Sequence, residues 1–366
     1  MRAHGGRRCR PFGLVPLFLV ILLPLLGACR LPGPGAEAEG TERPLFSDLA
    51  AFTQLPERPV ASASSEFWEW WGDGRAELSG YQMTVQHYGE PREAELALIY
   101  VTEPHDRRTW IKDDDASSPE RVEVLKLNRN AAFLTGSYPY AVMTSVFAPV
   151  DRYRDEAFAP VRIVHQAQEW CGAYSHLVWP GRNRFRSLRL SYFAQHGERI
   201  REVDVPGEVL YEDALLVQLR ELDGPFAGGG DWEGLLVPEL WRVRSMHGSV
   251  DPVPATIVRE EGIRRMGQEE HPITRFTLES DGYRRIFEVE REVPRRVLGW
   301  TTSTGEEAEI LATERLPYWE LNRLGDESVR EALGLSPHGL LPPGGEAATG
   351  GACPDPSAGA PPEAGR

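Results

Sequence analysis

Gln168 to His176 reads QEWCGAYSH, which brings a carboxylate, a thiol and an imidazole into one short stretch. Cys171 is the candidate nucleophile, His176 its base, and Glu169 a candidate acid–base. An imidazole that takes the thiol proton leaves a reactive thiolate. The residues before Cys171 alternate like a strand, and a period of two puts His165, Glu169 and Cys171 on one face. Spacing limits what that face can do. At about 3.3 Å per residue, His165 and Cys171 lie roughly 20 Å apart, and Glu169 and Cys171 about 7 Å apart. Zinc ligands sit about 2 Å from the metal, so an unbent strand cannot offer both His165 and Cys171 to one ion. His176 is the partner geometry allows. If residues 172–175 form a four-residue hairpin loop, Cys171 and His176 face each other with Cβ atoms about 5 Å apart. The alternatives are a cysteine packed as a small hydrophobe and a bridge to Cys353.

Other residue patterns carry less chemistry. Residues 67–74 (FWEWWGDG) are dense in aromatics. Trp68 and Trp70 are candidates for a glycan-binding platform, whereas Phe67 and Trp71, four apart, share a helical face and are expected in the core. Asp113, Asp114 and Asp115 lack the alternate spacing, central glycine and terminal glutamate of a calcium loop, so a solvated turn is expected. Glu103, His105 and Asp106 lie near that run in sequence, but no metal site is assigned. No Gly-x-Ser-x-Gly, His-Glu-x-x-His or Cys-x-x-Cys pattern occurs. No cofactor is expected.

Cys29 carries the firmest assignment. Arg2, Arg7, Arg8 and Arg10 precede an apolar run from Leu14 to Leu26, which is shorter than the roughly 20 residues of a spanning helix. The run ends in Leu26-Gly27-Ala28-Cys29, which resembles a lipoprotein lipobox. This predicts a signal peptide over 1–28, diacylglycerol on Cys29, and a flexible linker over 29–43. Several acyl chains hold a protein on a membrane stably where one does not. Arg30 follows where an aspartate would favour inner-membrane retention, so the expected address is the outer membrane, facing the periplasm. Loss of the four leader arginines takes the net charge from −15 to −19. That acidity excludes non-specific nucleic-acid binding, which needs a basic stripe.

The body, residues 44–335, reads as mainly β (α+β). The expected fold is a curved antiparallel sheet or incomplete barrel with a few covering helices, as one domain or as two halves meeting near 225–240. Strand-length runs fall at 94–101, 121–127, 141–147, 161–170 and 184–193. Asp281-Gly282 between two strands spells a primed hairpin turn, and the meander continues to residue 315. Helices are expected at 46–53, 65–71 with Ser65 as N-cap, 211–222 with Leu215, Leu216, Leu219 and Leu222 on one face, and 326–333. Residues 336–366 are rich in Pro, Gly and Ala and are predicted to be a disordered tail.

Five segments carry a family resemblance: FWEWWGDGRAELSGY (67–81), ALIYVTEP (97–104), VLKLN (124–128), TGSYPYAVMTSVF (135–147) and QEWCG (168–172). They resemble a poorly characterised family of exported bacterial proteins sometimes labelled "septum formation inhibitor Maf". The likeness covers most of residues 65–320. That label implies a cell-division-associated factor. It does not imply the cytosolic Maf nucleotide pyrophosphatases, because Ser62 to Glu66 (SASSE) lacks their arginine pair.

The leading reading is a non-enzymatic, membrane-anchored envelope lipoprotein with a binding or scaffold role. Its expected partners are an envelope protein, a glycan or an apolar ligand. The alternatives are an envelope hydrolase or transferase using Cys171 and His176, and a cell-division factor.

Overall fold

Alternating burial along the chain builds one large sheet. The computed structural model describes residues 49–339 apart from 116, 221, 222 and 338. The leader, Cys29, the linker and nearly all of the 336–366 tail therefore lie outside the described residues. A first run of strands comprises β1 (Ala76–His87), β2 (Glu90–Asp106), β3 (Ile111–Lys112), β4 (Arg121–Leu134) and β5 (Pro139–Pro149). It continues through β6 (Arg162–Glu169), β7 (Gly172–Pro180), β8 (Arg184–Ser191) and β9 (Arg199–Asp204). The second run comprises β10 (Leu210–Tyr211), β11 (Trp232–Val237), β12 (Val253–Met266) and β13 (Glu269–Ser280). β14 (Tyr283–Glu290), β15 (Val297–Thr302) and β16 (Glu307–Leu316) complete it.

Sequential strands pair antiparallel within each run, apart from β3, a short spur on β2, and the parallel pair β10–β11. β16 then pairs antiparallel with β1 and joins the two runs into one sheet. The result is a single curved, unclosed antiparallel sheet built of two meanders, which divide at residues 205–209 and not near 225–240. Its edges are β9 and β10, which are separated in the chain only by residues 205–209. So short a connection, at about 3.5 Å per residue, keeps the edges within roughly 20 Å of each other.

The chain turns inward right after β10. Glu212–Ala214 form a 3-10 turn and Leu215–Gln218 the short helix α3, taking α1 as Leu49–Thr53 and α2 as Ser65–Trp71. Leu215, Leu216, Val217 and Gln218 are all buried. A helix that is apolar all round belongs in the middle of a core. The expectation of one long amphipathic helix over 211–222 is corrected accordingly: this segment is a plug inside the sheet. α4 (Leu240–Ser245) packs with it in the same core, and α5 (Ser328–Ala332) follows β16.

Buried charges tie the plug to the wall. The Glu239 and Leu240 amides donate to the Glu212 and Asp213 carboxylates at 3.0 Å each. Arg285 of β14 reaches Glu239 at 3.2 Å, and Arg129 of β4 reaches Glu306 at 3.2 Å. Burial, then the neighbouring Glu239 charge, pushes the Asp213 carboxyl well above its ordinary range. Burial also disfavours the Glu239 carboxylate, but Arg285 and Arg129 beside it outweigh that and hold it down at about 2.

Local expectations fare as their chemistry dictates. Asp281 and Gly282 both adopt positive φ, 46° and 74°, as the primed hairpin turn requires. Phe67 and Trp71 are buried. The N-cap of α2 is Ser64, one residue before the expected Ser65, and its hydroxyl accepts from the Phe67 amide at 3.1 Å.

Candidate functional site: an arginine-lined cleft

The hairpin that carries Cys171 is tighter than its sequence suggests. Glu169 pairs directly with Gly172, so Trp170 and Cys171 alone form the turn. The Glu169 carboxylate accepts the Cys171 amide at 2.6 Å and holds that turn. Gly172 is required because the Tyr192 ring would lie 2.6 Å from a Cβ there. His176 consequently faces His165, not Cys171. Cys171 is moreover disulfide-bonded, with a partner outside the described residues. The expected thiolate–imidazole dyad and the role of Glu169 as an acid–base beside it are therefore corrected: Glu169 is a turn cap and Cys171 a cross-link.

Trp68 and Trp70 do not form a shared platform. Two residues apart on a helix, they point about 200° apart. Trp68 is 38% exposed and packs edge-on against Phe67, while Trp70 lies under the Arg315 guanidinium at 4.3 Å. Glu103 and His105 both lie on β2 and bond each other at 2.9 Å. Among the described residues no group of three or more His, Cys, Asp or Glu could hold a metal ion.

His176 leads instead to a cleft of about 700 Å³ at the sheet edge. β7 contributes His176, β8 Ser187 and Arg189, and β9 Arg199 and Arg201. The register pairs Ser187 with Arg201 and Arg189 with Arg199, so these four share the inward face. His196 and the loop after α4, residues 247–250, form the opposite wall. Among the described residues no acidic one lines it, in a chain with 55 acids. Arg201 reaches an exposed carboxylate nearby, Asp251, at 2.8 Å.

Arg244, on α4, is only 6% exposed. It sits over the rings of Tyr174 and Phe193 at 5.3 and 5.2 Å, and its Nε has no hydrogen-bond partner. Among the described residues no carboxylate lies within ion-pair distance of Arg244, Arg189 or Arg199. Their field is felt by the imidazoles. Burial, then Arg244, lowers His196 to about 4, and burial, then Arg189, lowers His176 to about 3. The histidines are thus neutral at pH 7, and the arginines alone make the cleft positive. His196 Nε2 and His247 Nδ1 lie 2.8 Å apart with their rings stacked. His247 sits just past the end of α4 at φ 54°, a left-handed position that glycine fills without strain.

No family model matches this chain, and neither does any curated protein. A solved structure described as a beta-barrel-like protein of domain of unknown function DUF1849 from Brucella abortus is similar at a TM-score of 0.38 and 9% identity. The match covers 66% of this chain and 97% of that one.

Arg189, Arg199, Arg201, Arg244, His196 and His247 were not singled out in the sequence. One signal was legible: in RFRSLRL, Arg189 shares its parity with Phe185, an arginine on the inward face of a strand.

Proposed function

We propose that this chain is an exported, lipid-anchored envelope protein that binds, without catalysing a reaction, a ligand carrying phosphate or carboxylate groups in the arginine cleft. The observation that carries this reading is that Arg189 and Arg199 line the cleft with no carboxylate within ion-pair distance among the described residues, while the buried Arg244, whose charge acts on His196 of the cleft wall, has none either. A buried charge without a partner costs several kcal/mol, and the natural complement to guanidiniums that line a cleft without carboxylates is a multiply charged oxyanion. The core side of the sheet is filled by α3 and α4, which favours an anion at the edge over an apolar ligand within.

Ser187 and His176 supply the argument against catalysis. The Ser187 hydroxyl lies 2.7 Å from His176 Nε2, which is the spacing of a nucleophile and its base. However, His176 Nδ1 meets the Tyr174 hydroxyl at 3.1 Å instead of a carboxylate. Burial and the nearby arginines hold this imidazole neutral. An imidazolium formed during proton transfer would have nothing to stabilise it.

Calorimetric titration with inorganic pyrophosphate tests the reading. Each charge-assisted contact is worth about 1.5–3 kcal/mol, so Arg189→Met weakens binding by roughly 10- to 100-fold. Equal affinity in the variant, or phosphonylation of Ser187 by a fluorophosphonate with loss of fluoride, contradicts it. His247→Gly separates binding from folding. Relief of the left-handed strain offsets the lost His196 contact, so unfolding free energy stays within about 1 kcal/mol of the parent. Affinity falls several-fold. A large loss of stability with unchanged affinity would make His247 a helix cap only.

A further inference from the structure

A smaller cavity, of about 220 Å³, lies beside the connector that joins the two sheet edges. The loop after β5 supplies Arg154 and Glu156, the β7–β8 turn Arg182, and the β9–β10 connector Glu208. Gln218 of α3 and Trp232 of β11 also line it, and it shares no residue with the arginine cleft. Its charges are of both signs and do not pair with each other. Among the described residues neither arginine has a carboxylate within ion-pair distance, and neither glutamate has a cation. The polar contacts they do make are Arg154 to the Pro180 carbonyl at 3.4 Å and the Ala227 amide to Glu156 at 3.5 Å. Both are longer than an ordinary N–H···O bond. Burial penalises both charges, pushing the Glu156 carboxyl up and the Arg154 guanidinium down. Gln218 is 1% exposed; its Nε2 donates to the Ala157 carbonyl at 3.3 Å, while its Oε1 has no hydrogen-bond partner. Buried polar atoms are normally paired by protein, water or ligand.

We propose that this cavity binds a free amino acid with an apolar side chain, its carboxylate on Arg154 and its ammonium on Glu156. The spacing fits. An α-amino acid carries its opposite charges on neighbouring atoms of one short backbone, so its partners must lie close without bonding each other. Arg154 and Glu156 are two residues apart, which keeps their Cα atoms within about 7 Å. An ion of one sign would leave the other desolvated charge uncompensated. An ammonium has three donors, and the unpaired Gln218 Oε1 is a further acceptor in the same lining. Ala159, Pro160, Val209, Leu210 and Trp232 give the rest of the wall an apolar surface for the side chain. The volume falls below the roughly 300–1,000 Å³ of pockets for drug-sized ligands, which suits one amino acid and not a longer peptide.

Thermal-shift measurements on the full-length protein with each apolar amino acid in turn, followed by calorimetric titration of the one with the largest shift, test the proposal. At least one should raise the melting temperature, since a ligand that binds only the folded chain stabilises it. The amide of that amino acid lacks the carboxylate, and its N-acetyl form lacks the ammonium. Each should bind roughly 10- to 100-fold more weakly, and Arg154→Met and Glu156→Gln should weaken the parent ligand by a similar factor. The two analogues need no substitution, so they decide the matter even where a variant fails to fold. No shift with any apolar amino acid, equal affinity for either analogue, or equal affinity in either variant overturns the proposal.

Discussion

Glu77→Gln lowers the unfolding free energy by about 3–5 kcal/mol, because it strands a buried guanidinium. Arg220 follows the α3 plug and is almost wholly enclosed, as is Glu77 on β1. Its two terminal nitrogens engage both carboxylate oxygens, one of them at 3.1 Å, and also the Pro294 carbonyl at 3.1 Å. The Tyr100 ring lies 4.2 Å beneath the charge. Glutamine preserves the volume and one acceptor but removes the counter-charge. The paired change Glu77→Leu with Arg220→Met removes both charges together and should recover most of the loss, since apolar replacements of a buried pair are commonly neutral or stabilising. Urea unfolding of the two proteins measures this. A Glu77→Gln loss below about 1 kcal/mol would mean that water reaches the pair, and the plug would not be pinned as described.

The second large effect is on acid stability. His165 and His176 face each other across β6 and β7, and burial holds both at about 3. For His165 the further causes are the His176 imidazole and Arg129; for His176 they are Arg189 and Arg201. Below about 6.5 the unfolded chain takes up protons that these folded imidazoles refuse, so stability is full above that pH and falls as pH drops toward 3. Each histidine removes about 1.4 kcal/mol per pH unit, or roughly 2 kcal/mol by pH 5. Asp213 and Glu306, whose carboxyls are raised, act in the opposite sense. The clean measurement is therefore a difference of slopes. Between pH 6 and 4.5, His165→Asn and His176→Gln each flatten the stability curve by about 1.4 kcal/mol per unit. Parallel curves would show that the folded protein protonates these rings.

How far the sequence could be read depended on whether the deciding contact was local. The Asp281-Gly282 turn is specified by two residues, and it formed as expected. β1 went unrecognised, because Gly80 interrupts its pattern. In the structure that glycine is needed where the sheet shifts register, since the Leu333 carbonyl lies 2.1 Å from where its Cβ would be. That close approach comes from α5, far away in the chain. The 211–222 segment has helical periodicity, but only its burial inside the sheet makes it a plug. The Cys171 hairpin turned on two residues of loop length. Cys171 and His176 would have faced each other across a four-residue loop, whereas the Glu169 cap closes a two-residue one. The cleft was the least legible feature. Its arginines come from β8 and β9 and its opposite wall from His196 and residues 247–250 after α4, so their meeting depends on strand register and on α4 packing against the inner face.

The most direct measurement of the anion site is crystallographic: a tungstate-soaked crystal, with the heavy anion located by its anomalous signal. The account predicts a strong peak in the cleft between Arg189, Arg199 and the His196–His247 pair, lost in Arg189→Met. A peak confined to other surfaces, or none at concentrations that saturate a specific site, would contradict it.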